Sequence, residues 1–196
     1  MGKFTNTIMK KISKVVSAFQ KNDNDNQKSI FFETEGNLEA PNPCDCVELS
    51  EVTNKHNPAD ILIGMGKCIE LKEFEKAVKL YAIAGVYGKY DTYRVMDETA
   101  HQALLILQQN VLSKLNEEDK KKLISYINKF FNKGSEELKS ICQAIQKIGI
   151  PKYFPRYMIQ HGLQSFTNIE GNGLVENFNS REAWELALKS YLHCDE

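Results

Sequence analysis

Two thiols one residue apart, in the run "CDC" at Cys44 to Cys46, are the residues of this chain whose spacing comes closest to a reactive or ligating site. Sulfur at that spacing can hold a soft metal or join a redox pair. A closed zinc site needs four ligands, which His193 and Cys194 from the terminal "LHCDE" would complete if the ends of the domain met. The same atoms offer a different chemistry in an exported chain: Cys44 or Cys46 would tie the entry segment to a helix through Cys68, and Cys142 would meet Cys194. In a reducing cytoplasm all five cysteines would remain free, partly buried thiols that pack as small hydrophobes. The odd count fits the free thiols of a cytoplasmic protein, with the periplasm as the alternative compartment, and no metal or cofactor is assigned.

The histidines do not assemble into a motif. His56 precedes a helix cap, His101 lies beside Gln102, His161 precedes Gly162 and His193 is near the end of the chain. There is no nucleophile elbow, no phosphate-cradling loop and no His-Glu-x-x-His pair, so the expectation is a protein without catalysis.

Recognition chemistry is better represented. The run "YGKYDTYR" concentrates Tyr87, Tyr90, Tyr93 and Arg94 in what reads as a turn between helices. Tyr and Arg bury large areas while keeping polar tips, which enriches them at contact surfaces, and these four are the leading partner-binding candidates. A second group, Tyr153 and Arg156, comes from "PKYFPRYMIQHG", where two prolines stiffen an aromatic and basic segment. The competing reading is packing, with the tyrosines pinning two helices, Asp91 capping one and Arg94 pairing locally.

Composition narrows the partner. In 196 residues the chain carries 42% hydrophobic and 26% charged residues at a formal net charge of −1, the balance of an ordinary globular protein. Without a broad surplus of Lys and Arg there is no case for nucleic acid. No window approaches the ~20 apolar residues of a spanning helix. Residues 1–20 read as a basic amphipathic arm, with Phe4, Ile8, Ile12, Val15, Val16 and Phe19 at roughly helical spacing; from Met9 the same stretch looks like a stunted secretion signal. Residues 21–43, rich in Asn and ending in two prolines, read as a disordered linker, and the helical domain is expected over 44–196.

The elements that would carry these residues are helices. Asn57 before Pro58, Asn116 before three acids, Ser135 before two, and Asn179 with Glu182 are start signals. Gly85 and Gly88, Gly134 and Gly149 read as stops. Asp91 reads as the cap of a long helix reaching Leu115, and Pro155 as the first turn of "PRYMIQHGLQSF". About seven helices result, with no sustained alternation to suggest a sheet. The fold class is all-α, an irregular bundle or short α-solenoid.

Within this pattern Phe74, Ala77, Tyr81 and Ala84, preceded by a helix carrying Ile61, Gly64 and Cys68, resemble a tetratricopeptide or Sel1-type helical hairpin over residues 58–88. That resemblance implies a packing role for Ala77, Tyr81 and Ala84 and, for such families, a groove presented to a partner. Met65 stands where those families favour glycine, and no second copy follows. At the level of class the chain also resembles small helical bacterial immunity proteins, which implies a partner protein, a secreted toxin, and an adaptor-like role. The oligomeric state is open.

Overall fold

The computed structural model describes residues 34–194, so the basic arm and the first part of the expected linker, 21–33, lie outside the described residues. Seven helices follow one another: α1 (Pro58–Glu70), α2 (Phe74–Arg94), α3 (Ala103–Leu112), α4 (Glu117–Phe130), α5 (Glu136–Ile148), α6 (Arg156–Ile159) and α7 (Ser180–Leu192). A short 3-10 turn at Leu49–Glu51 precedes them, and two more, at Glu98–Gln102 and Leu163–Phe166, lie between them. Among the described residues there is no strand, only an isolated antiparallel bridge between Val95 and Leu174, and the fold is all-α.

Local chemistry sets most helix starts. The Asn57 side chain accepts the Asp60 N–H at 2.9 Å while Asp60 accepts the Asn57 N–H at 2.9 Å, closing a reciprocal cap at the head of α1. Asn116, Ser135 and Asn179 cap α4, α5 and α7 in the same way, each accepting the backbone N–H three residues on. At the far end of α5, Gly149 adopts φ 86°, the left-handed region open to glycine, and the chain turns away.

Three boundaries differ from the sequence expectation. Helix α2 does not stop at Gly85 or Gly88 but continues through both to Arg94, giving 21 residues and a rod roughly 30 Å long. The glycines serve close approach: a Cβ at Gly85 would collide with the Tyr191 ring of α7, and one at Gly88 would lie 2.7 Å from Leu104 of α3. Asp91 therefore sits inside a helix rather than at the head of one. The next helix begins only at Ala103, because the Asp97 carboxylate accepts the Thr99 N–H and hydroxyl and holds a 3-10 turn first. Likewise α6 is one turn, interrupted at Gly162, whose ψ of 160° is extended.

Helix α2 forms the axis of the domain, packed against α1, α7, α4 and, more lightly, α3 and α5. Val78, Leu80, Ala82, Ile83, Ala84 and Val86 are all inaccessible, which places apolar residues around the whole circumference, the signature of a helix surrounded by its neighbours. The domain also begins earlier than Cys44. Leu38 donates its N–H to Tyr157 O, Asn42 donates to the Asp60 carboxylate, and Asn57 Nδ2 donates to Glu39 O. Residues 34–43 form a strap whose polar groups find partners on α1 and α6.

Candidate functional site

Three places in the described structure concentrate chemistry: a polar cluster at the end of α2, the cysteine-bearing edge of α1, and an apolar groove between α1 and α3.

The polar cluster gathers much of what the sequence singles out. Asp91 is fully buried, and its Oδ2 accepts hydroxyl bonds from Tyr153 and Tyr157, both at 2.7 Å. Its Oδ1 lies 2.7 Å from both Nε and Nη2 of Arg94; Nε makes the aligned hydrogen bond and Nη2 only an ion-pair contact. The Arg94 guanidinium is sandwiched between the rings of Tyr90 and Tyr153, 5.1 and 5.0 Å from their centroids. Tyr87 donates to Gly149 O at 3.0 Å and packs against Tyr153 and Trp184.

Burial pushes the Asp91 carboxyl above its ordinary range, although Arg94 and the two tyrosine hydroxyls pull the other way. The Tyr153 and Tyr157 hydroxyls are driven well above the ordinary tyrosine value, first by burial and then by the Asp91 charge. For Arg94 burial acts downward, but Asp91 outweighs it and the guanidinium is held more basic than usual.

The candidate contact residues therefore separate. Tyr87, Tyr90 and Arg94 are buried with no more than 8% of their surface accessible, and Tyr153 is half-buried with its hydroxyl on Asp91. They join two segments of the chain into one internal network, and "YGKYDTYR" is the last two turns of α2 rather than an exposed turn. Tyr93 faces outward, its hydroxyl 3.2 Å from Ser190 Oγ and Lys89 above its ring. Arg156 is occupied by the strap, pairing with Glu35 at 2.9 Å and Glu39 at 3.2 Å. Tyr157 belongs to the aromatic and basic segment already singled out in the sequence and Asp91 reads there as a cap, but their meeting escaped the sequence reading. Its one local signal was the Asp91 and Arg94 spacing of three, which puts that pair on one side of α2.

At the edge of α1 the cysteines pair. Cys46 is bonded to Cys68 across a Cα separation of 4.7 Å, and Cys142 to Cys194 across 5.7 Å, leaving Cys44 as a buried free thiol. Four of the five cysteines thus leave the free-thiol expectation, and the pairing follows the exported-chain alternative. It also dissolves the proposed four-ligand set, because Cys46 and Cys194 are committed to different bonds. Among the described residues no group of three or more His, Cys, Asp or Glu is placed to hold a metal. His56 Nδ1 accepts the Thr53 N–H, His101 Nε2 lies 2.8 Å from Val95 O, and His161 Nδ1 lies 2.9 Å from Asn37 Oδ1. His56 Nδ1 also lies 3.4 Å from the Thr53 hydroxyl.

The third place is an apolar groove. Leu62, Ile63 and Gly66 of α1 face Val111 and Leu115 at the end of α3 across a cavity of about 410 Å³, with Lys67 and Lys114 among its charged lining. Ile63 retains 40% of its surface. No helix among the described residues is long and apolar enough to cross a membrane. Comparison with known protein families, curated proteins and solved structures finds no match for this chain.

Proposed function

We propose that this chain is a non-catalytic protein-binding module that folds and works in an oxidising compartment, with the groove between α1 and α3 as its contact face. The observation that carries the compartment is the pair of disulfides, one joining the entry segment to α1 and the other joining the C-terminal residues to α5. Such bonds persist where glutathione and thioredoxin do not reduce them. The groove supports the contact role because it offers apolar side chains within a rim of both charges, Lys67 and Lys114 with Glu70 and Asp119, suited to an apolar segment with polar flanks. A secreted toxin is the partner class that the immunity-protein resemblance brings to this reading.

Alkylation of protein taken from its own cells, without reductant and under denaturing conditions, tests the compartment. One labelled thiol per chain is expected, at Cys44; five labelled thiols would place the protein in a reducing compartment instead. A photo-crosslinking residue at position 63 tests the contact face. It should trap a single protein through an apolar peptide, while the same group at the exposed Glu185 should not. Equal trapping at both positions, or none at 63, would remove the groove from the reading.

A further inference from the structure

Cys44 and Cys46 are alternate residues of a short extended segment that runs along α1. At its start, Cys44 donates its N–H to Asp60 O at 3.0 Å. One turn further along the helix, the Cys44 Cβ lies 2.8 Å from the place where a Cβ on Gly64 would stand. One turn beyond that, Cys46 is bonded to Cys68. Gly64 and Cys68 are four apart and share a helix face, separated by about 6 Å along the axis at 1.5 Å per residue. Cys44 and Cys46 are two apart in extended chain, about 6.6 Å. The Cys44 Cβ and the Cys46 bond thus stand beside successive turns on one face of α1. A disulfide needs Cβ atoms about 3.5–4.5 Å apart, so Cys44 is a few ångström from bonding distance to Cys68.

Gly64 is what permits this arrangement. A side chain there would meet Asp45 O at 2.6 Å as well as the Cys44 Cβ, so its absence lets the segment lie directly on the helix. The other contacts of the segment are local and polar: Asn42 on Asp60, and the exposed Lys67–Asp45 ion pair at 2.5 Å. Larger apolar anchors flank it, Leu38 before and Leu49 and Val52 after, so any shift is confined to the residues between them.

We propose that Cys44 is an internal exchange thiol for the Cys46–Cys68 bond, so that Cys68 has two alternative partners and the entry segment two covalent registers on α1. The Cys44 thiolate attacks Cys68 Sγ; the Cys44–Cys68 bond forms as the Cys46–Cys68 bond breaks, and Cys46 leaves as a thiolate that takes up a proton. One disulfide and one thiol stand on each side, so no oxidant or reductant is consumed. In the second register the segment is drawn along α1 toward Cys68, which pulls Asn42 and Cys44 away from Asp60 and loosens the strap at residues 39–44. In the observed register burial, reinforced by Asp60 and Asp45, pushes the Cys44 thiol up to about 11, with Lys67 pulling weakly downward. Exchange is therefore slow at neutral pH, and the Cys46 bond is the resting form.

The inference rests on the Cys46–Cys68 bond but not on the compartment, and it is tested on full-length protein oxidised in vitro. Alkylation followed by cleavage before Asp45 separates Cys44 from Cys46 and identifies the partner of Cys68. In C46S the expected product is one Cys44–Cys68 bond per chain with no labelled thiol; Cys44 and Cys68 both labelled would overturn the proposal. If C46S does not fold, wild-type protein held at pH 9–10 and quenched in acid gives the answer. A Cys44–Cys68 peptide with Cys46 labelled supports exchange, and C44S should yield none. Wild-type protein retaining only Cys46–Cys68 at every pH, or pairing Cys44 with Cys46, would refute it. Five free thiols in cell-derived protein would sink the oxidising compartment while leaving this test intact.

Discussion

The end of α2 and the edge of α1 both carry dense runs of chemically capable residues, "YGKYDTYR" and "CDC", yet the tertiary structure uses them in opposite ways. At the end of α2 both Asp91 oxygens and the Tyr153 and Tyr157 hydroxyls are taken up by neighbours beneath aromatic rings, and Arg94 Nη2 alone is left with an ion-pair contact and no aligned hydrogen bond. At the edge of α1 one thiol more is present than the bonds require, and it lies beside a bond it can enter. A buried network filled but for one guanidinium nitrogen resists change because removing any other member leaves a further group unpaired in low dielectric. The spare thiol retains a choice.

The sharpest way to break the buried network is Asp91→Ala. It leaves the Arg94 guanidinium buried and unpaired and two tyrosine hydroxyls without their acceptor, so we expect a loss of about 3–5 kcal/mol in denaturant unfolding. A loss under 1 kcal/mol would mean that solvent reaches the cluster and that its tyrosines are available for contact after all.

The covalent braces should rank by the chain they close. Removing Cys142–Cys194, which spans 52 residues, is expected to cost about 4 kcal/mol, and removing Cys46–Cys68, which spans 22, about 3 kcal/mol. The comparison of C46S with C68S sharpens the contrast between the regions. Exchange predicts that C46S recovers most of its brace through Cys44 and is the more stable variant in non-reducing melts; equal stability would say that the thiol is inert.

Smaller effects follow. Gly85→Ala must displace the Tyr191 ring, whose hydroxyl accepts from Gln108, and should cost about 1–3 kcal/mol in the same assay. Alkaline pH reads Cys44 directly. Its thiol is raised from 9.0 to about 11, so the folded state holds the proton more tightly than the unfolded state. The stabilising contribution is whole below pH 9 and is lost between pH 9 and about 11. Stability measured across that window should fall, and the fall should flatten in C44A. Last, Tyr93→Phe removes only a surface hydroxyl contact and should change stability by about 0.5–1 kcal/mol or less, in contrast with Tyr157→Phe inside the cluster.

How much of this was legible in the residues depends on how far apart the interacting groups are. Asn57, Asn116, Ser135 and Asn179 each cap a helix through a backbone N–H three positions away, so their role is visible in any short window. The lack of alternation likewise pointed to an all-α chain. The glycines of α2 misled because a glycine reads as a helix stop unless one knows that Tyr191 and Leu104, far along the chain, occupy the space a methyl would need. The tyrosine-rich run misled for the same reason: only the arrival of residues 153–157 turns Asp91 from a plausible cap into a buried acceptor.

By itself the sequence determined where most helices begin, that helices would be the whole secondary structure, and that Cys68 and Cys194 were available to close an oxidised chain. These are matters of local hydrogen bonding, periodicity and residue type. The tertiary structure alone decided that α2 runs unbroken through Gly85 and Gly88, that Tyr87, Tyr90 and Arg94 face inward, that the strap at 34–43 finds its partners on α1 and α6, and that Cys46 rather than Cys44 holds Cys68. Each of those depends on which distant surface fills a space or supplies a partner, and burial, not residue identity, sets the outcome.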